Sequence, residues 1–381
     1  MVTSSSHDKA FVIIPKVGGV LSIIGSLLLL RDVALKIKGH EAIPLTTKII
    51  TLITVAALFI GFFESFLSTW MIPKDSDACL ASGNVTTCNV QAFISVWMFI
   101  VVETGYSMLS VLYYMTARRD WTTQKTQSWK VIFVCLVLPV IVGLGTAIPL
   151  LVTNQYNFTG IYSCNIAPYP LGCDYDDGVP CTRAPNATYI RGGFFVYVLV
   201  CFAVIIIFLS MLLYNLKKQD AQTAKYSSHY LGGKGGGMRN PVAFQSLRYV
   251  SVFFIPNIAF IIWAVIHIVE IQPSQSVYYA MIYLYVVVWP LFGALNSLVY
   301  FRLRFINERR SNPEASWTNL MRKTFTITPL SIRSNTNETH PLRISALIDE
   351  DDLSSPLFED ESASGSNGVS LSAAAAGDYL L

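Results

Sequence analysis

Hydrophobic residues along this chain fall into long runs that are separated by short polar connections. A helix needs about 20 mostly apolar residues to cross the hydrocarbon core of a bilayer, so runs of this length predict membrane spans. The first run contains Lys16 and is longer than the apolar part of a secretory signal peptide, so we interpret it as a span. The pattern predicts an all-α membrane protein, a seven-transmembrane helix bundle with spans at residues 10–30, 49–71, 91–115, 131–152, 192–214, 249–270 and 277–300.

The predicted bundle covers residues 10–310 and leaves a polar segment at each end of the chain. Residues 1–9 are too few to form a domain. Residues 301–310 alternate arginines with apolar side chains, which is typical of a short amphipathic helix that lies on the anionic cytoplasmic leaflet and begins just after Tyr300. Residues 311–381 are polar and contain clustered acids, so we predict a disordered cytoplasmic tail there.

Composition and charge support the membrane assignment and set the orientation of the bundle. The chain is 53% hydrophobic and 13% charged, with a mean hydropathy of +0.49, which favours a membrane protein over a cytosolic one. Eighteen lysines and arginines fall in the connections on one side of the bundle, against four on the other side. Because basic loops face the cytoplasm, we predict a plasma-membrane protein with its amino terminus outside and its carboxyl terminus inside.

Three glycosylation acceptors fall in the predicted outer loops, and this position agrees with the orientation from charge. They are the Asn-x-Thr sequences at Asn84, Asn157 and Asn186, each of which we predict to carry a glycan. A fourth acceptor, at Asn337, lies in the tail and should stay unused.

Five of the seven cysteines also lie in the predicted outer segments, where disulfides persist. Cys88 begins the third span, and we expect it to hold the long second outer loop down over the bundle as a small folded lid. Cys164 is the preferred partner. Cys173 and Cys181 would then close a local loop and Cys79 would be free, while other pairings stay open.

Glu103 lies near the middle of the third span, where an ionisable side chain needs a partner or a function. Helical spacing puts Ser107, Ser110 and Tyr114 on the same face, so this polar stripe is predicted to face the bundle interior. Two interpretations stay open: a ligand contact or protonation-dependent switch, and a protonated carboxyl hydrogen-bonded between helices.

Other polar or aromatic residues lie toward the outer side of the predicted bundle. Lys16 and Glu64 lie at similar depths on neighbouring spans, and we predict that they pair, as a structural clamp in preference to a binding site. Trp263, His267 and Glu270 lie in the outer part of the sixth span and are candidate ligand contacts. Core packing of Trp263 and exposure of the other two at the membrane interface are the competing interpretations.

Two prolines interrupt the last two spans and are candidate switch positions. Pro256 in the sixth span and Pro290 in the seventh each remove a backbone hydrogen bond, so they tend to kink their helices. A kinked helix can swing its cytoplasmic half.

The predicted topology and the end of the last span together resemble a G-protein-coupled receptor. The string "PLFGALNSLVY" is most similar to the cyclic-AMP-receptor-like group of slime moulds, plants and protists. The resemblance implies that Asn296 and Tyr300 rearrange on activation to open a cytoplasmic cavity, and that Cys88 bonds to the second outer loop. The chain departs from rhodopsin-like receptors at Ser297, where they have proline, and in lacking Asp-Arg-Tyr after the third span.

The same resemblance implies that an extracellular ligand acts through a heterotrimeric G protein. The candidate G-protein contacts are Tyr113, Tyr114, Arg118, Arg119, Lys217, Lys218 and Arg248. For the basic residues among them, the ordinary positive-inside excess is an equally simple interpretation.

In the tail, Ser354, Ser355, Ser362 and Ser364 lie among acids and are predicted phosphorylation sites that recruit an arrestin-like adaptor, with a passive solvated tail as the alternative.

Rival functions fit the sequence less well. Of five histidines only His267 lies in a predicted span, which disfavours a membrane-embedded zinc enzyme, and the last span has no lysine for a retinal Schiff base. We therefore predict no enzyme activity, no cofactor, no metal and no nucleic-acid binding. A transporter or ion channel that uses Glu103, Glu64 and Lys16 remains the alternative.

Overall fold

The computed structural model describes residues 5–40, 43–76, 78–117, 128–173, 179–230, 252–255, 257–258, 261–262 and 275–325. Among these residues, six helices are long and apolar enough to cross a membrane, so the chain is a helical, multi-pass membrane protein. These spans are Lys9–Lys38, Leu45–Met71, Val85–Ala117, Trp129–Val152, Ala187–Lys218 and Ala280–Arg302. They correspond to the first five and the last of the predicted spans.

The predicted sixth span, residues 249–270, falls mostly outside the described residues. Those that are described, 252–255, 257–258 and 261–262, are all helical. Phe253 is fully buried and packs on Tyr106 and Phe202, with ring centroids 5.0 Å apart in both pairs. This segment therefore contributes to the core, and a seventh complete span stays a prediction.

Helices extend beyond the predicted spans because polar residues continue the helical backbone past the apolar region. α1 is Ser5–Lys38, α3 is Val85–Ala117 and α5 is Ala187–Tyr230. α2, Leu45–Met71, is α-helical over Leu45–Ile60, π-helical over Gly61–Leu67 and a 3-10 turn over Ser68–Met71. α4, Trp129–Val152, is π-helical over Phe133–Val137 between α-helical Trp129–Ile132 and Leu138–Val152.

The last described span belongs to a long helix, α6, that covers residues 275–311. Its α-helical parts, Gln275–Val288 and Phe292–Ser311, are separated by a 3-10 turn at Trp289–Leu291. Pro290 lies in this turn and has no N–H to donate, so the predicted break in helical geometry is present at this position.

α1 and α6 approach closely because small residues face each other along their contact. A Cβ added at Gly18 would lie 2.7 Å from the Pro290 Cβ, and one at Gly25 would lie 2.9 Å from the Ala294 Cα. Ser22 Oγ accepts the backbone N–H of Gly293 at 2.9 Å. Close backbone approach and hydrogen bonds between helices are the interactions that hold membrane helices together, since lipid gives no hydrophobic force between them.

A small hairpin covers the bundle at the end where α3 begins. β1, Tyr156–Phe158, pairs antiparallel with β2, Cys164–Ile166. Disulfides join Cys88 to Cys164 and Cys173 to Cys181, and Cys79 is free. The preferred pairing and the predicted lid are therefore both confirmed.

The predicted surface helix is wrong in position. Residues 301–310 continue the spanning helix α6 without a turn after Tyr300. A separate helix, α7, follows at Trp317–Phe325 and packs back on α6, with the Trp317 and Phe305 rings 5.1 Å apart and Leu320 fully buried. The tail predicted from residue 311 therefore includes an ordered helix; residues 326–381 lie outside the described residues.

The predicted pairing of Lys16 with Glu64 is also wrong. The Lys16 ammonium donates to the carbonyls of Phe66 and Leu67, at 3.1 and 3.3 Å, and lies 3.9 Å from the centre of the Trp70 ring. These carbonyls lie where the π-helical part of α2 ends. A cation there satisfies terminal carbonyls and the negative end of the helix dipole.

This contact gives a stability prediction for Lys16→Met. The variant keeps the side-chain length and loses the carbonyl bonds and the cation–π contact, so we expect the free energy of unfolding to fall by about 1 kcal/mol. Lys9→Met, an exposed position on the same helix, is the matched control and should leave it unchanged. Thermal unfolding of the detergent-solubilised protein measures both; equal melting temperatures for the two variants would contradict the prediction.

Candidate functional site

Polar side chains, most of them buried, lie at successive levels along α3 and α6 and on the elements that pack against them. We call this set the polar column; its described members are Glu64, Ser95, Trp289, Glu103, Tyr106, Asn257, Asn296, Asp32, Lys36 and Tyr300. Ser95 and Glu103 are separated by eight residues on α3, or about 12 Å, and Trp289 and Tyr300 by eleven residues on α6. The column thus extends over much of the bundle, where polar groups are costly and mark functional positions.

The outer level is centred on Glu64, in the π-helical part of α2. The Glu64 side chain is buried, and the Ser95 hydroxyl and Trp289 indole lie beside it. The Ser95 hydroxyl and the Trp289 indole N–H are both buried, and the Glu64 carboxyl is the acceptor beside them. A buried carboxyl with two donors beside it is an arrangement that an incoming polar ligand or a small movement can change.

The hairpin lid closes directly over this level. Gln91 Oε1 accepts the backbone N–H of Cys164 at 2.8 Å, and its amide donates to the carbonyls of Phe63 and Ser68 at 2.8 and 3.0 Å. The Ser68 hydroxyl donates to the Tyr162 carbonyl at 2.9 Å. These bonds fix the lid to α2 and α3 in addition to the disulfide.

Tyr162 brings a phenol from the lid down to the outer level. Burial raises the pKa of Tyr162 well above its ordinary value, and the neighbouring Tyr285 and Glu64 raise it further. The phenol therefore stays neutral. Its oxygen lies beside the Tyr285 phenol and near Glu64, so it is a third buried polar group at this level.

Glu103 forms the middle level and is fully buried, and its predicted neighbours Ser107, Ser110 and Tyr114 are buried too. The stripe therefore faces the interior, as predicted. The Ser107 and Ser110 hydroxyls donate to the backbone carbonyls of Glu103 and Tyr106, each at 3.0 Å, and do not bond the Glu103 carboxyl. The Asn257 side chain lies beside the carboxyl, yet neither carboxyl oxygen has a hydrogen-bond partner among the described residues.

One step further inward, Tyr106 of α3 donates a short hydrogen bond to the side-chain oxygen of Asn296 on α6. Both residues are buried. The Asn296 amide nitrogen has no partner among the described residues. Asn296 is thus bonded to α3 through its side-chain oxygen, and its amide N–H groups can donate to a different partner if the helices rearrange.

The inner level joins α1 to α6 through three charged or polar side chains. Tyr300 donates its phenolic hydrogen to Asp32 Oδ2 at 2.7 Å, and Lys36 Nζ lies 3.0 Å from the Tyr300 oxygen and 3.2 Å from Asp32 Oδ2. Asp32 is 3% exposed, so its carboxylate is shielded from water. We call Asp32, Lys36 and Tyr300 the inner latch.

Several predicted site residues fall outside the described residues. They are Trp263, His267, Glu270, Pro256, Arg118, Arg119, Arg248 and the tail serines 354, 355, 362 and 364. Of the other candidate G-protein contacts, Lys217 and Lys218 are exposed, whereas Tyr113 and Tyr114 are buried. Tyr114 packs on Phe208, so the two tyrosines are not available to a partner in this conformation, and their contact with a G protein stays a prediction.

The predicted glycosylation sites differ in their exposure. Asn84 and Asn186 are exposed. Asn84 accepts the Thr87 N–H through its side-chain oxygen at 2.9 Å, which caps α3 and leaves its amide nitrogen free. Asn157 is 4% exposed and its amide donates to the Ala167 carbonyl at 2.7 Å. A glycan at Asn157 is therefore incompatible with the folded lid, and that prediction is wrong.

The partners of the predicted site residues are harder to find in the sequence. Asp32 and Lys36 do carry a signal, because an acid and a base four residues apart at the end of an apolar run are a recognisable ion-pair pattern. Tyr106 and Asn257 carry no such signal, because a tyrosine or asparagine in an apolar run gives no indication of which helix it will face.

Comparison with known proteins does not supply a family. No protein-family model matches the chain, and no curated protein sequence matches it.

Proposed function

We propose that this chain is a plasma-membrane G-protein-coupled receptor that passes an extracellular ligand signal to a heterotrimeric G protein by rearrangement of its helices. In this proposal the amino terminus is outside, the seventh span is completed by residues 249–270, and the ligand enters beneath the hairpin lid. Trp263, His267 and Glu270 join the ligand contacts, and Pro256 and Pro290 are bending points.

A single observation carries the proposal: Asn296 and Tyr300 lie one turn apart on α6 and are bonded to two different helices. Asn296 accepts from Tyr106 of α3, and Tyr300 donates to Asp32 of α1. Just outward of them the helix changes to a 3-10 turn at Pro290. A helix with a break in its backbone geometry, followed by hydrogen bonds to two different helices, has the geometry expected of an element that switches between two positions.

The polar groups around Glu64 supply the input. A ligand that competes for the hydrogen bonds of Glu64, Ser95 and Trp289 moves the 3-10 turn, because Trp289 is part of it. The inner end of α6 then shifts relative to α1 and α3. The ligand biases this equilibrium only as far as its affinity differs between the two positions.

The output surface is the inner edge of the bundle. Lys217 and Lys218 on α5 are exposed there. We predict that Arg118, Arg119 and Arg248, which lie outside the described residues, join them. Basic residues around the opened cavity would contact the G protein. Phosphorylation of the tail serines would add negative charge for an arrestin-like adaptor.

The inner latch provides the test. We expect Tyr300→Phe to raise basal nucleotide exchange on a purified heterotrimeric G protein about tenfold, because a hydrogen bond to a charged group is worth about 1.5 kcal/mol. Phenylalanine keeps the ring and removes only the hydroxyl that joins α6 to α1. Asp32→Asn weakens the same bond and should change exchange in the same direction.

Tyr214→Phe is the matched control, because Tyr214 is 70% exposed on α5. It should leave nucleotide exchange at the wild-type level. If Tyr300→Phe and Asp32→Asn reach the cell surface normally and both show wild-type exchange, the latch has no role in coupling.

A transporter or ion channel is the second candidate function, and two buried carboxyls are the observation that favours it. Glu64 and Glu103 lie at successive depths in the column, as groups along a proton or cation route would. Lys16 no longer belongs to this route, since it binds backbone carbonyls at the end of α2's π-helical part. Proton or cation flux into proteoliposomes, abolished by Glu103→Gln, would support a transporter and refute the receptor proposal.

A further inference from the structure

An apolar groove lies between α3 and α4 on the perimeter of the bundle. It encloses about 250 Å³ and is lined by Met108, Val111, Leu112, Met115, Lys130, Val131, Val134 and Cys135. Every lining residue except Lys130 is apolar. The groove is independent of the polar column, which lies on the inner face of α3.

The part of α4 that lines the groove is π-helical. Val134 and Cys135 belong to the Phe133–Val137 segment, where the backbone is wider than an α-helix. Further along, α3 and α4 meet closely: a Cβ added at Gly143 would lie 2.7 Å from the Trp97 ring. Such π-helical turns are frequent at functional sites.

The position of the groove along the membrane follows from its two ends. Met108 and Met115 are two turns apart, so the groove extends about 10 Å along α3. At its mouth, Lys130 is exposed and Trp129 is 71% exposed. Tryptophan and lysine at the end of a span mark the level of the lipid headgroups.

We propose that this groove binds one anionic phospholipid, with an acyl chain along the apolar walls and the headgroup phosphate at Lys130. The apolar walls match a hydrocarbon chain and offer no partner for a polar ligand. The Lys130 ammonium has no ion pair or hydrogen bond within the part of the chain that the structure describes, so its charge is available. A cation at headgroup depth favours an anionic lipid over a zwitterionic one.

The test is native mass spectrometry of the full-length protein, released from nanodiscs made of equal parts phosphatidylglycerol and phosphatidylcholine. We expect one phosphatidylglycerol to be retained by the wild type. Lys130→Gln should lower its occupancy about fivefold, the factor expected for one basic residue at the membrane surface. Lys38→Gln is the matched control, since Lys38 is an exposed lysine at the end of α1, and it should retain the lipid.

A second pair of variants tests the groove itself. Val134→Phe fills it and should remove the bound lipid, whereas Ile141→Phe, at a 51% exposed position on the same helix, should not. Equal loss of bound phosphatidylglycerol in Lys130→Gln and Lys38→Gln would overturn the proposal, since it would indicate general attraction between basic residues and anionic lipid. Preferential retention of phosphatidylcholine or a co-purified sterol, or occupation of the groove by a second copy of the chain, would overturn it as well.

Discussion

We expect Cys88→Ser to remove most of the protein from the cell surface. The Cys88–Cys164 bond closes a segment of 76 residues. A cross-link of this span lowers the conformational entropy of the unfolded chain and so contributes about 4 kcal/mol to the free energy of unfolding. That contribution is a large fraction of the stability of a typical domain. Without the bond, the lid is held mainly by hydrogen bonds from Gln91 and Ser68.

The other cysteines provide graded controls for this experiment. Cys173→Ser opens a segment of only 8 residues, so its loss should cost about 2.5 kcal/mol and reduce surface expression less. Cys79→Ser removes a free thiol and should have no effect. Surface labelling and thermal unfolding measure the series, and a Cys79→Ser defect as large as that of Cys88→Ser would contradict the pairing.

The second large effect is expected at Glu103, where stability and function should move in opposite directions. Both carboxyl oxygens are buried without a hydrogen-bond partner among the described residues, and such a group costs about 2 kcal/mol. Glu103→Leu removes this cost and fills the same space with apolar atoms. We therefore expect the free energy of unfolding to rise by about 2 kcal/mol, while stimulated nucleotide exchange is lost.

Asp32→Leu is the control, because we expect it to change the free energy of unfolding in the opposite direction. Asp32 is a buried acid like Glu103, but it is bonded to Lys36 and Tyr300. Its removal leaves Lys36 without its anion, so the variant should be less stable than the wild type. Thermal unfolding of both variants in the same detergent gives the comparison.

Glu103→Gln distinguishes the roles of charge and shape at this position. Glutamine keeps the size and cannot ionise, so unchanged coupling together with an unchanged pH response would make Glu103 purely structural. A loss of stability in Glu103→Leu would contradict the assignment of an unpaired carboxyl, since it would require a favourable partner.

The polar column explains why the residues chosen from the sequence belong together. Glu103 is a candidate because it is an ionisable residue within a span, whereas Asn296 and Tyr300 are candidates because of the family resemblance. In the structure they lie at successive depths along the contact between α3 and α6: Tyr106 of α3 and Asp32 of α1 bond to Asn296 and Tyr300, and Asn257 lies beside Glu103. A mutation at one level is therefore expected to influence the next through shared helices.

The sequence by itself determined the features that depend on local order along the chain. Apolar run length predicted the described spans, because backbone groups in lipid must be satisfied within a helix. Spacing on α3 predicted that Glu103 and its serines face inward, and the position of Pro290 predicted the break in α6. The cysteine positions led to the correct disulfide pairs.

Only the tertiary structure decided which side chain meets which. Lys16 and Glu64 lie at similar depths, but the π-helical part of α2 turns Glu64 toward Ser95 and presents the Phe66 and Leu67 carbonyls to Lys16. A one-residue change in helical phase rotates a side chain by about 100°. Nothing in the local sequence specified that rotation.

The same reason accounts for the misplaced surface helix and for the buried Asn157. Arginines at residues 301–310 resemble a surface helix in isolation, yet α6 continues through them as a helix, and Phe305 packs on Trp317 of α7. Local sequence sets where helices start, how long they are and which face is polar. Contacts between distant segments set helix rotation, partner choice and accessibility, since these depend on the packing of all helices at once.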